Sequence, residues 1–190
     1  MKATKIKTLL KSSEIKKSFV VQGWVKTFRA KRFIALNDGS SLKNLQCIVD
    51  FENLEESLLK RITTGAALHL EGKLVESQGE GQKVELLVEK LEVLGDSDPE
   101  KYPIQPKKHS LEFLREKAHL RVRTTTFAAV MRIRSKLSFA VHNFFQQQGF
   151  YYVNTPIITG SDAEGAGEMF RVSTLDAINP PLNEVGNPDY

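Results

Sequence analysis

FVVQGWVKTFRAKRFIALNDGSSLKNLQCIVDF, residues 19–51, decides the fold. FVVQGWVKTF and RFIALND alternate apolar and polar residues with the period of half-buried strands, and the Asp-Gly pair in NDGSS supplies turn chemistry before NLQCIVDF begins a third strand. Further along, the period changes. ENLEESLLKRITTG places Leu54, Leu58, Leu59 and Ile62 at helical spacing, with Asn53 as its N-cap and Gly65 as its stop. AALHLEGKLVES and KVELLVEKLEVLG then read as two strands joined by the tight turn QGEGQ. The order β-β-β-α-β-β over residues 1–94 is that of an OB-fold β-barrel, which binds oligonucleotides across its second and third strands; other small barrels stay open at this point.

Beyond the barrel, GDSDPEKYPIQPKKHS at 95–110 carries three prolines and no hydrophobic period, and reads as a linker or hinge. A helical regime follows over 111–190. LEFLREKAHL is a short helix, and TTTFAAVMRIRSKLSFAVHNFFQQQG a long one, opened by capping threonines and closed by Gly149. Phe127, Val130, Met131, Leu137, Val141, Phe144 and Phe145 form its apolar stripe, expected to pack in a core or an interface. FYYVNTPII reads as a strand in which Pro156 withholds a backbone donor, as at a sheet edge, bulge or interface. From Thr159 onward no period supports an element.

Composition narrows the function classes. With 41% hydrophobic and 26% charged residues the chain has material for a packed core. The one cysteine, Cys47, lies in an apolar run and excludes an intrachain disulfide; together with a lysine-rich N-terminus that lacks a signal-peptide core and the absence of a membrane-length apolar run, it predicts a cytoplasmic protein without membrane association. The four histidines are scattered and no HxxxH or CxxC spacing occurs, so no metal site is expected. The net charge is +4, and residues 101–145 hold ten Lys or Arg against two acids, a distribution open to a solvated helix face or to polyanion contact.

The residues that can carry recognition lie in the barrel. Single-stranded nucleic acid is held by aromatic platforms beside cations, because each base offers a π-face and each linkage a charge. Phe28, Arg29, Lys31, Arg32 and Phe33 supply that pairing within six positions, and Gln46 on the next strand offers the donor and acceptor that reading a base edge needs. By themselves these residues leave Phe33 equally open to a core role and Gln46 to a solvent-facing one. The glycines at 160, 165 and 167 form no phosphate-cradling pattern, and Glu164 and Glu168 on that loop fix no geometry, so no catalytic residue is assigned in this chain.

GFYYVNTPII, with Gly149, Phe150 and Pro156, resembles motif 1 of the class II aminoacyl-tRNA synthetases, and an OB-fold ahead of it is the arrangement of the aspartyl, asparaginyl and lysyl subgroup. TGSDAEGAGEMF and KKHSLEFLREKAHLRVRT are similar to the asparaginyl branch. The resemblance covers the whole chain. It implies an antiparallel α+β catalytic domain beginning at residue 111, of which this chain holds the motif 1 helix, strand and lid loop. Motif 2 and motif 3, which supply the ATP-binding arginines, belong beyond Tyr190, so these 190 residues alone are expected to be inactive. Carried over residue by residue, Phe33 stacks on an anticodon base, Gln46 reads the middle base and Arg29 contacts the backbone. Glu164 on the lid pairs with the α-ammonium of the amino acid, and Gly149, Phe150 and Pro156 belong to a homodimer interface. The implied reaction activates asparagine with ATP and Mg²⁺ and transfers it to tRNA(Asn). An aspartyl or nondiscriminating enzyme, or a non-catalytic OB-fold tRNA-binding protein, are the alternatives.

Overall fold

The computed structural model describes residues 2–189 except 51, 53, 80, 161–169, 171 and 177. The chain divides into two compact units, Met1–Phe139 and Ala140–Tyr190.

The first unit is built on a closed five-stranded barrel. β1 (Ser18–Arg29), β2 (Phe33–Asn37), β3 (Leu45–Ile48), β4 (Ala67–Glu76) and β5 (Val84–Gly95) follow one another around the barrel in the order β1-β2-β3-β5-β4. The long β1 serves two neighbours: its first half pairs antiparallel with β4, from Ser18↔Lys73 to Trp24↔Ala67, and its second half with β2, from Trp24↔Asn37 to Arg29↔Phe33. Closure comes from the parallel pairing of β3 with β5, at Cys47↔Leu86 and Ile48↔Leu87. The register slips between Glu71 and Gly72, where β4 comes so close to β5 that a Cβ on Gly72 would stand 2.1 Å from the Leu87 carbonyl oxygen. No side chain larger than hydrogen fits there.

Alternation along the strands fills the interior. Val21, Val25, Ile34, Leu36, Leu45, Cys47, Leu68, Leu70, Leu74 and Leu86 form one buried cluster. Each such aliphatic side chain contributes about 1.5–3 kcal/mol through removal from water. Burial and the charge of Glu85 push the Cys47 thiol far above its ordinary pKa, so it behaves as a small inert hydrophobe.

The lysine-rich N-terminus, which carries too few apolar residues to announce an element, folds as helix α1 (Ile6–Leu9), whose two apolar residues are both fully buried in the barrel core. The β2–β3 turn holds it there. Asp38 accepts from the Ser40 backbone N–H through Oδ1 (2.9 Å) and from the Ile6 backbone N–H through Oδ2 (3.0 Å), and Ser40 Oγ accepts from the Lys7 N–H (2.9 Å). Although burial works in the opposite direction, the bonds from Ser40 and Ile6, with the charge of Lys5, hold the Asp38 carboxyl below its ordinary pKa.

The expected helix between the third and fourth strands is shorter than its sequence pattern. α2 spans Glu56–Arg61 behind Glu55, which makes no side-chain cap bond. Asn53, the expected cap, lies outside the described residues. Gly65 is not the helix stop: it follows Ile62, the residue after α2, by three positions and turns with φ +93° against Tyr102, its N–H donating to the Val25 carbonyl (2.8 Å).

The proline-bearing segment after β5 packs within the same unit. Arg61 grips Asp96 with two parallel bonds of 2.8 and 2.9 Å, Ser97 Oγ donates to the Thr64 carbonyl (2.9 Å), and Ile104 is buried. Helix α3 (Leu111–Glu116) follows, capped by Ser110 Oγ accepting from the Phe113 N–H, and is shorter than the ten-residue run that predicts it; its continuation is a 3-10 turn at Arg121–Arg123. Helix α4 (Thr125–Gln147) opens with Thr124 Oγ1 accepting from the Phe127 N–H (3.3 Å). None of its residues is buried, so the apolar stripe does not enter a core within this chain. A stripe of that kind is buried only when a second surface covers it.

In the second unit the end of α4 is well defined. Gly149 takes φ +84°, its N–H donates to the Gln146 carbonyl and that of Phe150 to the Phe145 carbonyl, both at 3.1 Å. The Phe150 and Phe145 rings meet edge to face at 5.4 Å. This is a Schellman stop with its apolar contact. FYYVNTPII, expected as a strand, forms none: no strand is assigned to residues 150–158 and its large apolar side chains are exposed. A strand requires a partner to take its backbone groups, and no described residue pairs with this segment in a ladder. Among the described residues no helix is long and apolar enough to cross a membrane.

Candidate nucleic-acid interface

The hairpin of β1 and β2 presents the expected residues. Its turn, Arg29–Arg32, is closed by the Arg32 N–H on the Arg29 carbonyl (3.1 Å), and both central residues, Ala30 and Lys31, have φ 51°. Positive φ at both positions is the type I′ geometry, whose twist matches the strands, here adopted without glycine or asparagine. Non-glycine residues in that region cost roughly 1–2 kcal/mol each, so the turn is held by the barrel around it. It projects Arg29, Lys31 and Arg32 at the end of the hairpin, with Arg32 lying 5.7 Å from the Phe33 ring centroid.

Register places Phe33 and Gln46 on one face. Phe33 is opposite Ile48 and Ala35 opposite Gln46, and directly paired residues point the same way. The alternate residues Ile34, Leu36, Leu45 and Cys47 are the buried ones, so Phe33 and Gln46 belong to the outward face and Phe33 is not a core aromatic. Arg29 shares this face, paired with Phe33. Phe28 points inward and packs against the core.

Sequence reasoning missed the residue that organises Gln46. Glu85, only 5% exposed, accepts from Gln46 Nε2 (3.1 Å), Ser77 Oγ (2.7 Å) and Gln82 Nε2 (2.6 Å) through Oε1. A buried carboxylate needs such donors, and here they fix its geometry. One Gln46 N–H is thereby engaged, leaving the second N–H and the carbonyl oxygen as the adjacent donor and acceptor for a base edge. The signal in the sequence is the single acid inside the apolar run VELLV.

The remaining expected residues lie elsewhere. Glu164, with Ser161, Gly165, Gly167 and Glu168, lies outside the described residues. Gly149 and Phe150 form the stop of α4, a local reason for both residue types, and Pro156 stands in the exposed segment that follows. Among the described residues no cluster of three or more His, Cys, Asp or Glu side chains is placed to hold a metal ion.

Residues 19–94 match the family model described as OB-fold nucleic acid binding domain, and residues 110–179 the one described as tRNA synthetases class II (D, K and N). The chain is 53% identical to the asparagine–tRNA ligase of Cytophaga hutchinsonii, covering 100% of this chain and 42% of that protein. It is 49% identical to that of Azobacteroides pseudotrichonymphae, again over 100% of this chain and 42% of the relative. It thus spans about two fifths of the length of the relatives it matches. In fold it is similar to the solved asparaginyl-tRNA synthetase of Pyrococcus horikoshii complexed with asparaginyl-adenylate, with a TM-score of 0.76 at 24% identity over 91% of this chain and 41% of that one. With this identity along its whole length, the chain joins an OB-fold barrel to the start of a catalytic domain that matches the class II tRNA synthetases of the D, K and N group.

Proposed function

We propose that the chain is the tRNA-recognition portion of an asparagine–tRNA ligase, which activates asparagine with ATP and Mg²⁺ to asparaginyl-adenylate and transfers it to tRNA(Asn). The identity of 53% along the whole chain to a protein of that name carries the choice of asparagine. The shared outward face of Phe33 and Gln46 supports the role of the barrel.

In this reading Phe33 is the platform for one anticodon base, and Arg32, beside that ring at the end of the hairpin, adds a cation next to the stacked pair. Gln46 reads the middle base with the donor and acceptor that Glu85 leaves available, and Arg29 contacts a phosphate. Glu85 is a positioning residue: it restricts the amide to one orientation before RNA arrives, which removes part of the ordering cost of binding. Residues 95–110 are the hinge, and residues 111–190 begin the catalytic domain. Glu164 on the lid pairs with the asparagine α-ammonium, where a desolvated cation needs a charged acceptor. Gly149, Phe150 and Pro156 contribute to a homodimer interface, and the protein works in the cytoplasm. The catalytic residues and those that hold ATP and Mg²⁺ are not assigned in this chain.

Amino-acid-dependent pyrophosphate exchange by the whole ligase tests the substrate. Exchange faster with asparagine than with aspartate is expected; the reverse order would assign the protein to the aspartyl branch. For the barrel, Gln46→Ala should bring the affinities for tRNAs differing at the middle anticodon base together, and a uniform loss across all of them would contradict base reading.

A further inference from the structure

A cleft of about 1090 Å³ opens on the first unit between β1, the β2–β3 turn, the proline-bearing segment and the first half of α4. That is the upper end of the range, roughly 300–1,000 Å³, in which one small molecule is usually held. Two kinds of surface meet in it. Lys26, Lys107, Lys108, Arg123, Arg132 and Lys136 line it with no Asp or Glu beside them, and among the described residues none of the six is ion-paired with a carboxylate. Leu42, Val122 and Met131 line it too, and their side chains stay exposed.

The cations differ in depth. Lys107, Lys108 and Lys136 are exposed, whereas Lys26, Arg123 and Arg132 are half-buried. Arg132 is tied to the Gly39 carbonyl, and Lys26 donates to the carbonyl of Arg123, whose guanidinium lies 3.6 Å from the Trp24 ring centroid. A guanidinium stacked on a ring keeps its N–H groups at the edge of the plane, where they can donate to oxygen atoms. Burial, and for Lys26 also the Arg123 charge, holds the Lys26 ammonium and the Arg123 guanidinium below their ordinary pKa range. Such a pair is stabilised by an anion that enters the cleft.

We infer that this cleft binds a nucleoside polyphosphate, with the phosphate chain among the cations and the base against Leu42, Val122 and Met131. A terminal phosphate carries its charge at the tip of a narrow chain and so reaches half-buried cations, which a phosphodiester flanked by sugars on both sides does not. An inorganic anion has no use for three exposed apolar side chains, and an apolar ligand has none for six cations. A nucleotide uses both: charge-assisted bonds hold its phosphates, and apolar side chains cover its base. Bound there, it ties the β2–β3 turn to α4, two elements that Arg132 already joins. The site stands apart from the reading of the barrel as a tRNA-binding domain, since neither Phe33 nor Gln46 lines the cleft.

GTP is the probe, because it is not the nucleotide of the proposed ligase reaction, and inorganic tripolyphosphate is its comparison. On the full chain at physiological salt, GTP should bind saturably in calorimetry with a Kd below about 1 mM. It should also change the emission of Trp24, the one tryptophan, as the phosphates draw on Arg123. Tripolyphosphate, though richer in charge, should bind about fivefold more weakly for want of a base to cover. The variant Lys107→Ala/Lys108→Ala/Lys136→Ala removes three exposed cations, should leave the unfolding midpoint unchanged and should weaken GTP about tenfold or more. Leu42→Ser should weaken GTP and leave tripolyphosphate as it was, whereas Phe33→Ala should change neither. Absence of saturable GTP binding to the wild-type chain would overturn the proposal, as would tripolyphosphate binding as tightly as GTP or a triple variant that binds GTP normally. Loss of GTP binding in Phe33→Ala but not in the triple variant would move the nucleotide to the barrel face and so overturn the cleft site. None of these results bears on the anticodon reading, which Gln46→Ala decides.

Discussion

FIALN in β2 and YYVNTPII at 151–158 are both short apolar runs with a β-branched or aromatic bias, yet only the first is a strand. In β2 every second side chain is buried and the backbone is paired with β1 on one side and β3 on the other. Along 151–158 Tyr151 is 91% and Ile157 99% exposed. Residue preference is similar in the two runs, and what separates them is the neighbour. A strand is a relation between segments, and a pattern in one segment states only its half of that relation.

The largest test of this contrast is truncation of one apolar side chain in each region. Leu70→Ala should destabilise the barrel by about 2–5 kcal/mol in urea unfolding, whereas Ile157→Ala should change stability by less than about 0.5 kcal/mol. Similar losses would show that the second segment is packed as the first is. Exposed aromatics sharpen the comparison next. Phe33→Ala should lower tRNA affinity by about 1–3 kcal/mol without shifting the unfolding midpoint, and Tyr151→Ala should leave that affinity unchanged in the same assay. A smaller effect belongs to the one self-contained device of the second unit. Gly149→Ala forces a Cβ into φ +84° and should cost roughly 1 kcal/mol, read as fraying at the end of α4 by hydrogen exchange. Smallest is the pH dependence of the bond between α1 and the β2–β3 turn. Because the folded Asp38 carboxyl has a lower pKa than the unfolded one, its contribution is present above about pH 4 and is lost as pH falls through the folded value. Asp38→Asn should therefore flatten the acid limb of the stability curve while sparing its shape near neutrality.

The barrel was legible because its signals are local and mutually consistent: alternation in five runs, an Asp-Gly turn, one helical interruption. Phe33 and Gln46 were legible as a pair because each lies on a strand whose period gives its face. Two features escaped for distinct physical reasons. α1 carries two apolar residues among lysines, too few for a period, and acquires its helix from burial in a core assembled by later residues. Glu85 reads as an ordinary polar position until β3 and β5 come together and make it the acceptor for Gln46. In the other direction, the strand expected at 150–158 reflected propensity without a partner.

The parallel pairing of β3 with β5 has a consequence for the order of assembly. As the chain is made, β1, β2 and β3 can form their hairpins early, and β4 can dock on β1. Neither β3 nor β4 finds its second neighbour until residues 84–95 exist. The last strand is therefore the clasp. Before it arrives, the nascent chain presents a sheet with two unsatisfied edges; once it arrives both edges disappear together, and the stopper formed by Ile6 and Leu9 gains its closed seat. A shortened chain ending before Val84 would not be a smaller barrel but an open sheet, sticky along both sides and ready to pair with its own kind.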